Sequence, residues 1–470
     1  MLTLDHSLEI SGLARQYQAG TLVPKIVAET VLARISEYRD DKVWIHLLPR
    51  EDILARAEKL QQRNIADLPL YGVPFAIKDN MDYAGHPTTA GCPAFSRAPK
   101  ETAPVVQALI DAGAMLIGKT NLDQFATGLV GVRSPYGACS SVFNSEYISG
   151  GSSSGSSVAV AAGLVSFALG TDTAGSGRVP AALNNIVGVK PSRGLLSIRG
   201  IVPACRSLDC ASIFALTAAD GMTVLDVAAK FDEADPFSRP DSGRNENNEF
   251  SGFSGVNVLV PEQHQLEFFG DKGSEALFGE AVNRLRDLGA AVREIDFEPF
   301  FETARLLYEG PWVAERYAAV GEFIEAHPDE VHPVTRQIII GGNGPSAVEA
   351  FSAYYRLKTL RRRTETVWQG GPTILMTPTA GTTYTIAEVE ADPITLNSNM
   401  GHYTNFMNLL DLSGLAIPVG FTDLGLPFGV TLVAPAFRDR WLGHLGGTLH
   451  QVSGLNMGAT PNAIPAINEN

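Results

Sequence analysis

Cysteine is scarce in this chain. Four residues (Cys92, Cys139, Cys205 and Cys210) among 470 build no disulfide framework. The Cys205/Cys210 spacing is wrong for a zinc knuckle and has no histidine pair beside it, so all four read as reduced packing residues. Histidine is equally thin: nine are scattered along the chain, none at a His-Glu-x-x-His spacing, and neither a metal site nor a histidine-based triad is expected. Positive charge is in deficit, with 36 Lys and Arg against 51 Asp and Glu and a net charge of −15. That balance argues against nucleic acid as the main partner, yet leaves room for a small anion held by one local arginine. Long apolar runs are missing too. The longest, residues 158–170, is rich in Ala and Gly, contains Ser166, and falls short of the ~18 residues of a membrane span. The first residues, MLTLDHSLEI, lack the basic and apolar regions of a secretory leader. A cytoplasmic protein without a membrane partner is expected.

What the chain does have is an ordinary globular composition, 45% apolar and 19% charged, enough for a large core. Val27, Val31, Ile35 and Tyr38 stripe one helix behind Pro24, and Ile53, Ala57 and Leu60 stripe a second. A short apolar run at 73–77 reads as a buried strand ending at Lys78-Asp79-Asn80. Twice a striped helix runs into glycine and then a strand: once through Gly113 to 114–118, once through Gly289 to 290–297. Further strands are expected at 256–260, 373–376, 415–419 and 427–433. This grammar predicts an α/β fold with a mixed, largely parallel central sheet covered by helices on both faces. One domain is expected over 1–457, with an exposed loop near 235–255, where Asp, Ser, Gly, Asn and Pro crowd together. Residues 458–470 read as a loosely ordered tail. The basic run Arg361–Arg363 lies in a helical stretch and reads as a solvated helix face.

The chemistry concentrates in 149–194, SGGSSSGSSVAVAAGLVSFALGTDTAGSGRVPAALNNIVGVKPSRG. It reads as a Gly/Ser loop, a small-residue helix, an apolar strand and a second Gly/Ser loop. Small residues allow close backbone approach and let amide N–H groups converge on one space. A phosphate cradle would need a Walker pattern, which is absent, and a flexible linker would not carry the apolar stretch between the two loops. A serine hydroxyl here becomes a nucleophile only if a base takes its proton. A buried lysine is such a base once desolvation lowers its pKa. Lys78, Lys119 and Lys190 all sit at buried strands, and composition does not choose among them.

The 149–194 segment resembles the amidase signature, and the chain is similar to the amidase signature family over most of its length. The pieces Tyr71-Gly72-Val73-Pro74-Phe75-Ala76-Ile77-Lys78-Asp79, Ile117-Gly118-Lys119-Thr120-Asn121 and Val187-Gly188-Val189-Lys190-Pro191 match in the family's order. The resemblance implies the amidase signature fold, no cofactor, a homodimer and a Ser–cis-Ser–Lys triad. Position by position, the nucleophile is Ser176 of Asp172-Thr173-Ala174-Gly175-Ser176. The bridging serine is Ser152, after the double glycine, and the base is Lys78. The backbone amides of Thr173, Ala174, Gly175 and Ser176 are implied as the oxyanion hole. Many members carry Gly where this chain has Ala174, a change that keeps the backbone N–H. Ser153 and Ser154 read as loop hydrogen-bonders, and Asp172 with Arg178 as a structural pair.

Residues 121–137, 172–180 and 307–317 also resemble one subfamily, the allophanate hydrolases. The last stretch, Leu307-Tyr308-Glu309-Gly310-Pro311-Trp312-Val313-Ala314-Glu315-Arg316-Tyr317, lies outside the shared signature. The resemblance implies substrate contacts from Tyr308, Arg316 and Gly128. Allophanate is urea bearing a carboxylate, and a planar guanidinium suits that anion. If 308–316 is one helix, the spacing puts Tyr308 and Arg316 on one side. The expected reaction releases ammonia from the terminal carboxamide through an acyl-enzyme. Alternatives are a carboxybiuret hydrolase, a transamidation subunit or a non-catalytic protein that keeps the fold. Many allophanate hydrolases carry a C-terminal domain linked to decarboxylation, and none is expected after this core.

Overall fold

The structure is a computed structural model and describes residues 7–243 and 252–466. Eleven strands form one sheet: β1 (Trp44–Leu47), β2 (Pro74–Lys78), β3 (Met115–Thr120), β4 (Phe167–Asp172), β5 (Val187–Lys190), β6 (Cys210–Ala215), β7 (Asn257–Pro261), β8 (Ala291–Ile295), β9 (Thr373–Pro378), β10 (Leu412–Phe421) and β11 (Pro427–Pro435). Their order across the sheet is β1-β3-β2-β4-β6-β5-β10-β11-β9-β7-β8. The expected mixed sheet is there. Its parallel pairings fall in two blocks, β2 between β3 and β4, and β7 between β8 and β9. The other pairings among the described residues are antiparallel, including the β10–β11 hairpin.

Helices cover both faces. Leu415 and Ile417 of β10 point at Gly446 in the helix Asp439–Val452. Gly429, paired with Pro418 one residue along, faces Ala182 of the helix Val179–Ala182. Successive strand residues point to opposite faces, so the two helices sit on opposite sides. Burial on both faces explains why β2, β3, β4, β6 and β9 are buried at every position and read as continuous apolar runs rather than alternating ones.

The helix Ser154–Ala161 packs into the sheet with every residue buried. At Gly155 the fit admits no side chain: a Cβ there would lie 2.3 Å from the Val43 carbonyl oxygen. The four cysteines are free and buried. Of the loop expected near 235–255, residues 244–251 lie outside the described residues. Its near flank is tied down, since Asp235 accepts hydrogen bonds from Ser197 Oγ (3.0 Å) and Ile198 N (2.8 Å). Of the tail, 467–470 lie outside the described residues, while Gly458 and Ala459 donate to the carbonyls of Asn185 and Ala161. Among the described residues no helix is long and apolar enough to cross a membrane.

Candidate active site

Strands β2 and β4 run parallel in register, with Ile77 opposite Leu169. Their C-terminal ends therefore deliver Lys78 and Asp172 to the same edge of the core. Lys78 is fully buried. Its Nζ donates to Ser152 Oγ at 2.7 Å and to Thr171 Oγ1 at 2.8 Å. Burial pushes its pKa down to about 7, against the pull of Asp123, Asp209 and Asp172 and with a further push from Arg316. The three buried lysines now separate. Lys119 lies 2.9 Å from the Asp79 carboxylate, and Lys190 donates to the Pro191 carbonyl at 2.9 Å. Only Lys78 of the three faces the serine loop.

Ser152 follows a cis peptide bond with Gly151. Its carbonyl accepts from Asp123 N (3.0 Å), and the Asp123 carboxylate accepts from Gly131 N (3.0 Å) and Arg133 N (2.9 Å). Ser153 Oγ donates to the Thr171 carbonyl at 3.2 Å, and Ser154, which opens the helix Ser154–Ala161 rather than lying in the loop, donates to the Asn121 carbonyl at 3.4 Å.

The loop after β4 is held from several sides. Arg178 clamps Asp172 bidentately, Nε to Oδ2 at 2.8 Å and Nη2 to Oδ1 at 2.9 Å, and Gly177 N adds a third bond. This is the expected Asp172–Arg178 pair, buried at both ends. Arg178 and hydrogen bonds hold the Asp172 carboxyl below its usual range despite burial, which pushes it up. Thr173 Oγ1 donates to Asp209 Oδ1 at 2.5 Å. Gly175 takes φ 148°, and a Cβ there would meet Thr404 Oγ1 at 2.5 Å, so this turn requires glycine. Among the described residues the backbone N–H groups of Thr173, Ala174, Gly175 and Ser176 donate to no protein acceptor. Buried N–H groups left free at a loop are the donor set an oxyanion needs. Ser176 is 4% exposed and its Oγ makes one long bond, 3.5 Å, to the Gly128 carbonyl. Ser152 and Ser176 are not hydrogen-bonded to each other.

Tyr308 and Arg316 come together, but not on one helix. The chain forms two helices, Glu298–Glu309 and Val313–Ala326. Pro311 forces Gly310 into extended backbone and breaks the expected continuous helix. The side chains still meet, with Arg316 Nη2 3.4 Å from Tyr308 Oη. Arg316 Nη1 donates to Thr127 Oγ1 (2.9 Å) and the Ala126 carbonyl (3.3 Å). Arg316 thus stands beside the segment whose Gly128 carbonyl touches Ser176. It is 2% exposed and, among the described residues, has no carboxylate partner within ion-pair distance.

Residues that sequence reasoning passed over are Thr171, Asp123, Thr127 and Asp209. Asp209 carried a signal: a single carboxylate between Leu208 and Cys210 at the head of a buried strand. Burial pushes it up to about 6, against bonds from Thr173 and the Ala204 and Cys205 amides. Among the described residues no group of three or more His, Cys, Asp or Glu side chains is arranged to hold a metal ion.

The amidase family profile matches residues 27–442. The chain belongs to the amidase family. It is 47% identical over 407 residues to the urea amidolyase of Saccharomyces cerevisiae (strain ATCC 204508 / S288c), covering 85% of this chain and 22% of that protein. It is 31% identical to a glutamyl-tRNA(Gln) amidotransferase subunit from Chloroflexus aggregans (strain MD-66 / DSM 9485), covering 96% of this chain and 98% of that one. Among solved structures, selenomethionine-substituted Kluyveromyces lactis allophanate hydrolase superposes with a TM-score of 0.90 at 40% identity, over 97% of this chain and 75% of that one. The chain thus spans about a fifth of the length of the urea amidolyases it matches.

Proposed function

We propose that this amidase hydrolyses the terminal carboxamide of allophanate through a Ser176–Ser152–Lys78 triad. The observation that carries the substrate is Arg316. A buried guanidinium without a carboxylate partner is costly to keep. An anionic substrate removes that cost by supplying the carboxylate, with Tyr308 and the Gly128 segment lining its other side. The similarity to an allophanate hydrolase and to urea amidolyases supports the same choice.

In this mechanism neutral Lys78 takes a proton from Ser152, and Ser152 takes one from Ser176. Substrate binding has to bring the two hydroxyls into contact. Ser176 Oγ bonds to the carboxamide carbon. Charge develops on its oxygen and is met by the free N–H groups of 173–176. The C–N bond breaks, the relayed proton goes to the leaving nitrogen, and ammonia departs. Water then adds to the acyl-enzyme under the same base, releasing N-carboxycarbamate and regenerating Ser176. The test is ammonia release by the purified chain from allophanate, biuret, carboxybiuret, glutamine and a plain aliphatic amide. A clear preference for allophanate supports the reading, and a preference for carboxybiuret, glutamine or neutral amides overturns it.

Arg316 gives a sharper check. Arg316→Lys keeps one charge but loses the planar fork that pairs with a carboxylate. KM for allophanate should rise about 10- to 100-fold, the equivalent of roughly 1.5–3 kcal/mol for a charged hydrogen bond, with a smaller change in kcat. An unchanged KM would remove Arg316 from the substrate.

The same reading makes 1–457 one amidase domain, supported by the single sheet that joins strands from both sides of 244–251. Four free buried thiols suit a reducing, cytoplasmic setting. We place the proposed homodimer on the helix Ala347–Thr364, where Val348, Phe351, Tyr354 and Tyr355 lie exposed together. Phe351→Glu should halve the mass seen by sedimentation equilibrium. A wild-type chain that is monomeric would overturn the homodimer, and a variant still dimeric would move its interface elsewhere.

A further inference from the structure

The turn at 204–209 touches both halves of the site. On one side the Asp209 carboxylate holds three donors: Thr173 Oγ1 at 2.5 Å and Cys205 N at 3.1 Å on Oδ1, and Ala204 N at 2.9 Å on Oδ2. Thr173 opens the loop whose N–H groups are free. On the other side the turn grips the helix that carries Arg316. Ser207 donates through both N (2.8 Å) and Oγ (2.5 Å) to the Glu315 carboxylate, and Cys205 Sγ reaches the Trp312 carbonyl at 3.4 Å. Asn408 adds a second brace, donating to the carbonyls of Asp172 (2.8 Å) and Leu208 (2.9 Å). Lys78, Ser152 and Ser176 make no hydrogen bond to Asp209. Its lone pairs are spent on the turn and on Thr173.

We propose that Asp209 is a positioning residue: acting through Thr173, it sets the oxyanion donors of 173–176 at a fixed place relative to Arg316. The role rests on the proposed Ser176 chemistry and extends it. Oxyanion donors work because they are held in place before charge develops, so a loop free to shift loses rate rather than substrate affinity. Asp209 has no direct contact with Arg316 among its hydrogen bonds. Its charge still acts on Arg316 and Lys78, so Thr173→Val, which leaves that charge in place, is the variant that should spare the anion clamp.

The experiment compares Asp209→Asn, Thr173→Val, their double variant and Thr173→Ser. Two rates are read: kcat and KM on the amide that the wild-type chain turns over best, and phosphonylation of Ser176 by a fluorophosphonate. In the latter Ser176 Oγ bonds to phosphorus, fluoride leaves, and the hydroxyl proton passes through Ser152 to Lys78. Asp209→Asn and Thr173→Val should each slow both kcat and phosphonylation by about 10- to 100-fold, in the range of a weakened oxyanion donor. In Thr173→Val KM should stay within about two-fold, and the double variant should be no slower than the worse single, because Thr173 acts through its one contact with Asp209. Thr173→Ser keeps the hydroxyl and should restore most of the rate. Wild-type rates in a folded Asp209→Asn, losses that multiply in the double variant, or a raised KM at unchanged kcat would each overturn the proposal. Should Asp209→Asn fail to fold, the Thr173 pair decides alone: equal loss in Val and Ser rejects the hydroxyl contact. A chain that prefers another amide would sink the allophanate reading and leave the phosphonylation result intact.

Discussion

Ser176→Ala should reduce ammonia release from allophanate to background, a loss of at least about 10⁴-fold, as when a covalent nucleophile is removed. The variant separates chemistry from folding unusually well. Ser176 makes a single long hydrogen bond, to the Gly128 carbonyl, and its removal leaves the Asp172–Arg178 clamp and the Thr173–Asp209 contact in place. Stability should therefore change by no more than about 0.5–1 kcal/mol in urea unfolding. Ser152→Ala differs. It removes the acceptor of Lys78 Nζ at 2.7 Å, so it should cut kcat and also leave the buried amine one partner short. The decisive pairing is an inert Ser176→Ala that unfolds like wild type. Residual turnover above about 1% of wild type would show that another group supplies the nucleophile.

Much of the fold was legible because the strands that build the site are buried on both faces. Such strands announce themselves as short apolar runs closed by polar residues, as at Pro74–Lys78 and Met115–Thr120. Gly113 and Gly289 marked helix ends correctly, and both adopt positive φ. What stayed hidden had weaker local signals. Trp44–Leu47 is an edge strand of four residues, none of them fully buried. Cys210–Ala215 runs without a turn residue toward the helix Ala218–Ala228, so its apolar stretch could not be divided from sequence. The break between Tyr308 and Arg316 was written in Gly310-Pro311. The residue pair survived the error because two helices at a sharp junction bring their facing ends as close as two turns of one helix would.

The choice among the three lysines was not legible, for a physical reason. Lys78, Lys119 and Lys190 share the same local pattern, a charge at the end of a buried strand. What distinguishes them is the partner each finds: two hydroxyls for Lys78, a carboxylate for Lys119 and the next residue's carbonyl for Lys190. The hydroxyls and the carboxylate lie dozens of residues away. Asp209 is a partial case: its place between Leu208 and Cys210 marks a carboxylate at the head of an apolar run, but the contact with Thr173, 36 residues away, is visible only in the fold.

The lysine difference leads to the second large effect. Lys78→Met should abolish turnover, at least about 10³-fold in kcat, since the base is gone, and yet not weaken the fold. Wild-type activity should rise with pH through about 7 and then level, because the neutral amine is the base and burial has brought its pKa down to about 7. The stability consequence runs the same way. Between about 7 and the ordinary lysine value of 10.5 the folded chain has released the Lys78 proton while the unfolded chain keeps it. The unfolded state then binds more protons, so this group makes stability increase with pH across that window. Below pH 7 the folded state carries a buried ammonium hydrogen-bonded to two hydroxyls, and the pull of Asp123, Asp209 and Asp172 offsets only part of the burial, so the cost is greatest there. Methionine fills the same volume without that cost. Lys78→Met should therefore be more stable than wild type at pH 6.5, on the order of a few kcal/mol less the two lost hydrogen bonds. The difference should shrink as pH approaches 10. Urea unfolding of both proteins at pH 6.5 and 9.5 measures it directly. A difference between the two proteins that stays the same at pH 6.5 and 9.5 would mean that Lys78 is an ordinary charged lysine in the folded chain, and the Ser–Ser–Lys relay would lose its base.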